Sequence, residues 1–255
     1  MLTFSKLNTL SLRTYSNVFR PRSVDDWGTK FNITSNMLAS DIPKLKAKGS
    51  RIILSYGKDG LQPYWGGGII MGYEGFATAD MLATRMTNNV KEWDLDGVDI
   101  FTLGIGTFGY SDFGMNAAFH SRVIKSLRNE LAPEKTISYT ILTAPCSSDP
   151  WWHPMNDVIA LSHEYLDSIY LEMTPLKEEC VLNYLINELG VPASKIGWLM
   201  EIDSSSPDNE EEMMLFLTKS VKSRGLHGLS LFSVNKENNR YHAQFLKAIA
   251  EELYA

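Results

Sequence analysis

The sequence is poor in the residues that build metal and redox centres, and it contains no long apolar run. Its 255 residues include only two cysteines, Cys146 and Cys180, and five histidines at no regular spacing. Two cysteines this far apart form neither a zinc motif nor a C-x-x-C pair, so we expect no metal and no cofactor. No apolar run approaches the ~18–20 residues of a membrane-spanning helix, so we expect no membrane span.

The charge balance is mildly acidic, and the first residues do not look like a secretion signal. There are 24 basic and 30 acidic residues, which give a net charge of −6. A negative chain is a poor partner for nucleic acid or for an anionic membrane. Residues 1–6 lack the charged start, apolar core and small-residue cleavage site of a signal peptide. We therefore expect a cytoplasmic protein, export by a non-classical route, or a trimmed chain.

Short β-branched or apolar runs alternate with helical patterns along the whole chain. This alternation is typical of an α/β protein with parallel strands. No linker, repeat or low-complexity stretch interrupts it, so we interpret residues 1–255 as one domain. The eight predicted strands, which is the number in a (β/α)8 TIM barrel, are Thr9–Tyr15, Lys30–Met37, Arg51–Tyr56, Gly97–Leu103, Thr136–Thr143, Asp167–Met173, Lys195–Glu201 and Gly228–Val234.

Helical patterns fill most of the gaps between these strands. The first pattern ends at Gly49, which we predict to be a C-cap, and Thr78 is the predicted N-cap of the second. The predicted helices are Ala39–Lys48, Thr78–Trp93, Ala117–Leu131, Leu176–Leu189, Asn209–Ser223 and Tyr241–Leu253.

The fourth predicted strand carries the most informative motif of the chain. Residues 95–103 read LDGVDIFTL. This segment resembles the signature D-G-x-D-x-D-x-E of the family-18 glycoside hydrolases, the chitinases and endo-N-acetylglucosaminidases. Asp96, Gly97 and Asp99 match the motif. Phe101 stands at the place of its last Asp, and Leu103 stands at the place of its catalytic Glu.

The resemblance implies a TIM barrel that has lost the chemistry of this family. Family-18 hydrolysis is substrate-assisted, since the N-acetyl group of the sugar attacks its own anomeric carbon. The Glu acts as general acid and then as base, and the last Asp orients the N-acetyl group. Phe101 and Leu103 can carry neither a proton nor a charge. The resemblance also implies that Asp99 is buried beneath the catalytic pair, where it has a structural role.

Other family positions are only partly kept. Ser55 and Gly57 match the S-x-G-G loop after the third strand, whereas Lys58 replaces its second Gly. Thr174–Pro175 occupies the place of a Tyr and an Asp or Asn at the end of the sixth strand. Phe232 replaces the Trp that forms the floor under the bound sugar. These departures support a loss of family catalysis.

Several groups near the predicted C-terminal ends of the strands could still bind a ligand, because barrels bind ligands there. Three carboxylates could run hydrolysis of another type, or could cap helices and pair with basic residues. Exposed aromatic side chains could stack on sugar rings, or could pack under loops or at a protein interface. The candidate ligand-binding residues are Trp65, Trp151, Trp152, Tyr170, Glu172, Glu201, Asp203 and Phe232.

Three functions remain open at this point. The first is an inactive chitinase-like barrel that binds an N-acetylglucosamine-containing glycan or a protein at the C-terminal face. The second is a glycosidase that uses the relocated carboxylates Glu172, Glu201 and Asp203. The third is a structural or storage protein, or a subunit of a toxin complex.

The two cysteines could pair despite their separation in sequence. Cys146 follows the fifth predicted strand, and Cys180 lies in the helix after the sixth. Neighbouring units of a barrel bring such positions to the same rim. A disulfide would favour an extracellular or toxin-like setting, and two free thiols would favour the cytoplasm.

Overall fold

The computed structural model describes nine stretches of the chain. They are residues 9–14, 42–47, 49, 51–56, 75–102, 113–141, 153–172, 177–201 and 207–232.

Seven parallel strands form one sheet in chain order. They are β1 (Thr9–Thr14), β2 (Arg51–Tyr56), β3 (Gly97–Thr102), β4 (Thr136–Ile141), β5 (Ser168–Glu172), β6 (Ile196–Glu201) and β7 (Gly228–Phe232). Every neighbouring pair is parallel and sequential, which is the arrangement that (β/α) units build. These seven strands match seven of the eight predicted ones to within two residues at each end.

The first strand pair differs from the strand order expected of a sequential eight-stranded barrel. Thr9 pairs with Arg51 and Thr14 pairs with Tyr56, so β1 lies directly beside β2. In a sequential eight-stranded barrel, the strand predicted at Lys30–Met37 would separate them. Residues 30–37 lie outside the described part of the chain, so the strand predicted there stays a prediction. The sheet is thus a parallel, barrel-like α/β sheet, and closure into a complete (β/α)8 barrel stays a prediction.

Five helices connect the described strands. They are α1 (Gly75–Glu92), α2 (Phe113–Glu130), α3 (His153–Ser162), α4 (Glu178–Leu182) and α5 (Pro207–Arg224), and α4 continues as a π-helical segment over Asn183–Glu188. A further helical segment over residues 42–46 ends at Gly49, whose φ of 82° and N–H bond to the Lys46 carbonyl confirm the predicted C-cap. Helix α3 was not predicted. None of the described helices is long and apolar enough to cross a bilayer.

The core lies between one face of the sheet and the helices. Alternate residues of each strand point to that face, which we call the helix face. In β4 these are Ile137, Tyr139 and Ile141, all fully buried. Helix α1 presents a stripe at helical spacing toward the same core, formed by Ala79, Leu82, Ala83, Met86 and Val90. The intervening strand residues point to the opposite face, which we call the inner face.

Candidate functional site

Over β3, β4 and β5 the inner face carries a group of polar side chains, whereas the helix face of these strands is apolar. The strand register places Asp99 of β3 beside Ser138 of β4, and Ser138 beside Ser168 of β5. Two residues further along, Thr140 lies beside Tyr170. Since a strand repeats its direction every two residues, these five side chains share the inner face.

Asp99 is the centre of this polar group. It is 4% exposed, and its Oδ1 atom accepts bonds from Ser138 Oγ at 2.8 Å and Thr140 Oγ1 at 2.7 Å. A carboxylate is costly to bury unless donors compensate for the lost water. Strand β4 supplies two hydroxyl donors because Ser138 and Thr140 are two residues apart. Asp99 is therefore buried and hydrogen-bonded, as predicted.

Tyr170 crosses the inner face toward the start of β7. Gly197 of β6 makes room for it, since a Cβ atom at Gly197 would lie 2.6 Å from the tyrosine ring. The ring also meets the His227 imidazole edge to face, with centroids 5.8 Å apart. Burial of the phenol raises the pKa of Tyr170 to about 12. A bond with Ser168 lowers this pKa, and the charge of Asp99 raises it.

Two of the candidate carboxylates end neighbouring strands on the inner face. Glu172 pairs with Leu199 across β5 and β6. Glu201 is two residues beyond Leu199, so it has the same facing, and it pairs with Phe232 of β7. The structure describes Glu201 and Phe232 by their backbone alone, whereas the Glu172 side chain is partly exposed.

The structure describes the backbone of one of the two family catalytic positions and does not describe the other. Phe101 pairs with Thr140 and is two residues beyond Asp99, so it shares the inner face. Its side chain is not described, and Leu103 lies outside the described residues. Four other candidates also lie outside the described residues, and they are Trp65, Trp151, Trp152 and Asp203. The same holds for the matching Gly57 and for the departures at Lys58, Thr174 and Pro175.

The first half of the signature has a structural role at the N-terminal edge of the sheet. Asp96 accepts the Ile52 N–H at 2.7 Å and returns its own N–H to the Ile52 carbonyl. Lys46 Nζ lies 3.3 Å from its other oxygen. At Gly97, a Cβ atom would lie 2.1 Å from the Thr136 carbonyl oxygen, so only glycine allows this close approach. Both residues hold β3 against β2 and β4, at the end of the sheet opposite to Glu172 and Glu201.

Sequence reasoning missed the partners of Asp99. The signal was present in β4, where TISYTI places hydroxyl side chains on alternate residues, but alternation alone does not reveal which neighbouring strand they serve. Among the described residues, no group of three or more His, Cys, Asp or Glu could hold a metal ion.

The chain matches no family model, and no curated protein matches it in sequence. Solved structures do match over nearly the whole chain. A GH18 chitinase from Pseudoalteromonas aurantia is 18% identical, covers 98% of this chain and 94% of its own, and has a TM-score of 0.66. A chitinase from Bacteroides thetaiotaomicron is 12% identical, covers 99% and 90%, and has a TM-score of 0.67.

An endo-β-N-acetylglucosaminidase from Cordyceps militaris gives a similar result. It is 12% identical, covers 98% of this chain and 82% of its own, and has a TM-score of 0.64. Sequence identities this low support a shared fold and nothing more. The chain has a GH18-like fold, the fold of chitinases and endo-β-N-acetylglucosaminidases.

Proposed function

We propose that this protein is a chitinase-like barrel that binds an N-acetylglucosamine-containing glycan without hydrolysing it by the family-18 mechanism. The observation that carries the proposal is the combination of a GH18-like fold with Phe101 on the inner face of β3. The motif residues that remain serve the scaffold, and the place of the family's last Asp holds a side chain with no chemistry.

Asp99 does not replace the missing groups. A general acid must reach the glycosidic oxygen of the substrate, and Asp99 is buried with one oxygen held by two hydroxyl groups of β4. Asp99 also precedes Phe101 by two residues in β3, so it lies farther from the C-terminal ends of the strands. Its role is to hold β3 and β4 together beneath the site.

The proposed glycan contacts are at the C-terminal ends of the strands. Glu172 and Glu201 would accept bonds from sugar hydroxyl groups, and Phe232 would offer an apolar face to a ring. Tyr170 forms the lower wall. From the loops above, Trp65, Trp151, Trp152 and Asp203 would complete the site, since indole faces suit the C–H faces of sugars.

Calorimetric titration with chitooligosaccharides tests this binding. The wild-type protein should bind, and Glu172→Gln should weaken binding by roughly 5-fold to 50-fold, because a hydrogen bond to a charged group contributes about 1.5–3 kcal/mol before partial replacement by the amide. Glu188→Gln, at an exposed position of the π-helical segment, is the matched control and should bind as the wild type does. Absence of binding to any chitooligosaccharide would contradict the glycan proposal and would favour a protein partner or a structural role.

One observation favours a second candidate, a glycosidase with relocated carboxylates. Glu172 and Glu201 end adjacent strands on the same face, and glycosidases place two carboxyl groups about 5–9.5 Å apart across the scissile bond. Product release that Glu172→Gln and Glu201→Gln each abolish, without loss of binding, would support this candidate. Release that neither variant changes would exclude it.

A further inference from the structure

A covalent link joins helix α4 to another part of the chain. Cys180 lies in the first turns of α4, its residue surface is exposed, and it is disulfide-bonded. The sequence contains one other cysteine, Cys146, which itself lies outside the described residues. Cys146 is therefore the one partner within the chain for Cys180.

The register of the sheet is compatible with this pairing. Strands β4 and β5 are neighbours, and Ile141 at the end of β4 pairs with Leu171 near the end of β5. Cys146 follows Ile141 by five residues, which can span at most about 17 Å. Helix α4 begins six residues after Glu172, on the same C-terminal side of the sheet. Two segments that leave adjacent strands at the same edge can meet within that reach.

The α4 end of the link is fixed independently of the disulfide. Glu178 is buried and accepts a bond from Ser220 Oγ of α5, which in turn accepts one from Trp198 Nε1 at 2.8 Å. Arg224 of α5 pairs with Glu178, at 3.3 Å from Nε to Oε1, and with the exposed Glu179. The first turn of α4 is thus anchored to α5 and β6 by buried and exposed polar contacts.

We propose that the Cys146–Cys180 bond is a structural staple of the working protein, and that the protein matures in an oxidising compartment. The bond ties the chain that follows β4 to a helix that the Glu178 cluster already holds in place. Its formation removes two electrons and two protons from the two thiols. A disulfide donor such as glutathione disulfide, or a protein disulfide, takes them up and becomes two thiols. The proposal is independent of glycan binding.

Thiol counting and thermal melting of the full chain test the staple. Protein from an oxidising expression compartment should show no free thiol after denaturation without reductant. Reduction should lower the melting temperature by roughly 5–10 °C. The disulfide closes a loop of about 35 residues, and opening that loop releases the constraint on the unfolded chain. Cys146→Ser and Cys180→Ser should each melt like the reduced protein, and the double variant should not respond to reductant.

Each alternative outcome overturns a stated part of the proposal. Two free thiols per chain, or a disulfide-linked dimer, would exclude the intrachain bond. A bond whose reduction leaves the wild-type melting temperature unchanged would exclude a stapling role, and this measurement needs no variant to fold. Protein made in a reducing cytosol should carry two thiols and should regain the higher melting temperature with glutathione disulfide. Failure to regain it would contradict maturation by oxidation.

Discussion

The N-terminal edge of the sheet and its inner face use aspartate in different ways. At the edge, Asp96 and Asp167 each accept a backbone N–H from the preceding strand, from Ile52 and Ile137, both at 2.7 Å. On the inner face, Asp99 accepts hydroxyl groups and is buried. An edge aspartate is in contact with water and fixes the register of two strands. The inner aspartate is shielded from water and fixes the positions of two hydroxyl side chains.

Within the described strands the edge arrangement occurs twice and the inner one occurs once. Asp96 follows Leu95 and precedes β3, and Asp167 follows Leu166 and precedes β5. Lysines that directly precede the next strands donate to those leucine carbonyls, Lys135 to Leu95 and Lys195 to Leu166, both at 2.6 Å. A hydrogen-bond arrangement that recurs in two (β/α) pairs stabilises the sheet. The motif of β3 therefore has an edge part that builds the sheet and an inner part that lies beneath the proposed binding site.

The largest effect should come from a change of pH. We expect one buried histidine, and not the carboxylates at the edge of the sheet, to control how stability depends on pH. His120 of α2 is buried, 3.2 Å from the hydroxyl group of Tyr139 on the helix face. Burial lowers the pKa of His120 from 6.5 to about 3. Between these values the unfolded chain binds the proton and the folded one does not. Stability should be complete above pH 6.5 and should fall toward pH 3, by on the order of 3–5 kcal/mol. Urea melts across this range measure it.

A matched pair of variants isolates the contribution of His120. His120→Gln should flatten the fall in the free energy of unfolding between pH 6.5 and pH 3. His163→Gln, at a partly exposed histidine, should leave the fall as it is. Equal profiles for wild type and His120→Gln would show that edge carboxylates dominate the acid response instead.

Loss of the inner aspartate should be the next largest effect. Asp99→Ala should cost about 1–3 kcal/mol, since it leaves the Ser138 and Thr140 hydroxyl groups without their acceptor in a buried place. Asp157→Ala, at an exposed residue of α3, should stay within about 0.5 kcal/mol of the wild type. Denaturant titration gives both numbers. An Asp99→Ala protein as stable as the wild type would contradict the stabilising role of the buried inner aspartate.

Two glycines that begin strands give a sharp comparison of close packing. In Gly97→Ala the new methyl group would meet the Thr136 carbonyl at 2.1 Å, so β3 and β4 must separate; we expect a cost of about 1–3 kcal/mol. In Gly228→Ala nothing lies within 4 Å of the new atom, and the variant should be neutral or slightly more stable. Thermal melting of the two proteins side by side measures the difference, and a Gly97→Ala protein as stable as Gly228→Ala would refute the close approach.

The smallest effect should come from the charge of an edge pair. Arg128 pairs with Asp167, which is well exposed. Asp167→Asn keeps an acceptor for the Ile137 N–H but removes the ion pair, so we expect a loss of about 0.2–1 kcal/mol. The difference from wild type should shrink as NaCl rises toward 1 M, because salt screens exposed charges. A loss that salt does not change would mean that the backbone bond, and not the charge, was damaged.

Much of the fold was predictable from the sequence because the strands are apolar runs with distinct breaks. Helix α3 was missed, since its ten residues begin with a His-Pro pair directly after two tryptophans, and proline is a typical turn residue. The place of β1 was not predictable either, because pairing depends on contacts between strands and not on local pattern. At the site, the burial of Asp99 followed from the motif. The packing of Tyr170 over Gly197 did not, since it joins residues on different strands.

The central proposal is that this protein keeps a GH18-like fold and has lost family-18 catalysis. Incubation of the purified protein with a fluorogenic chitobioside, with an active family-18 chitinase as positive control, tests this claim directly. We expect no release of fluorophore above the buffer rate, because in the proposed alignment Phe101 stands at the place of the last Asp and Leu103 at the place of the catalytic Glu. Steady release that a substitution in β3 abolishes would contradict the account.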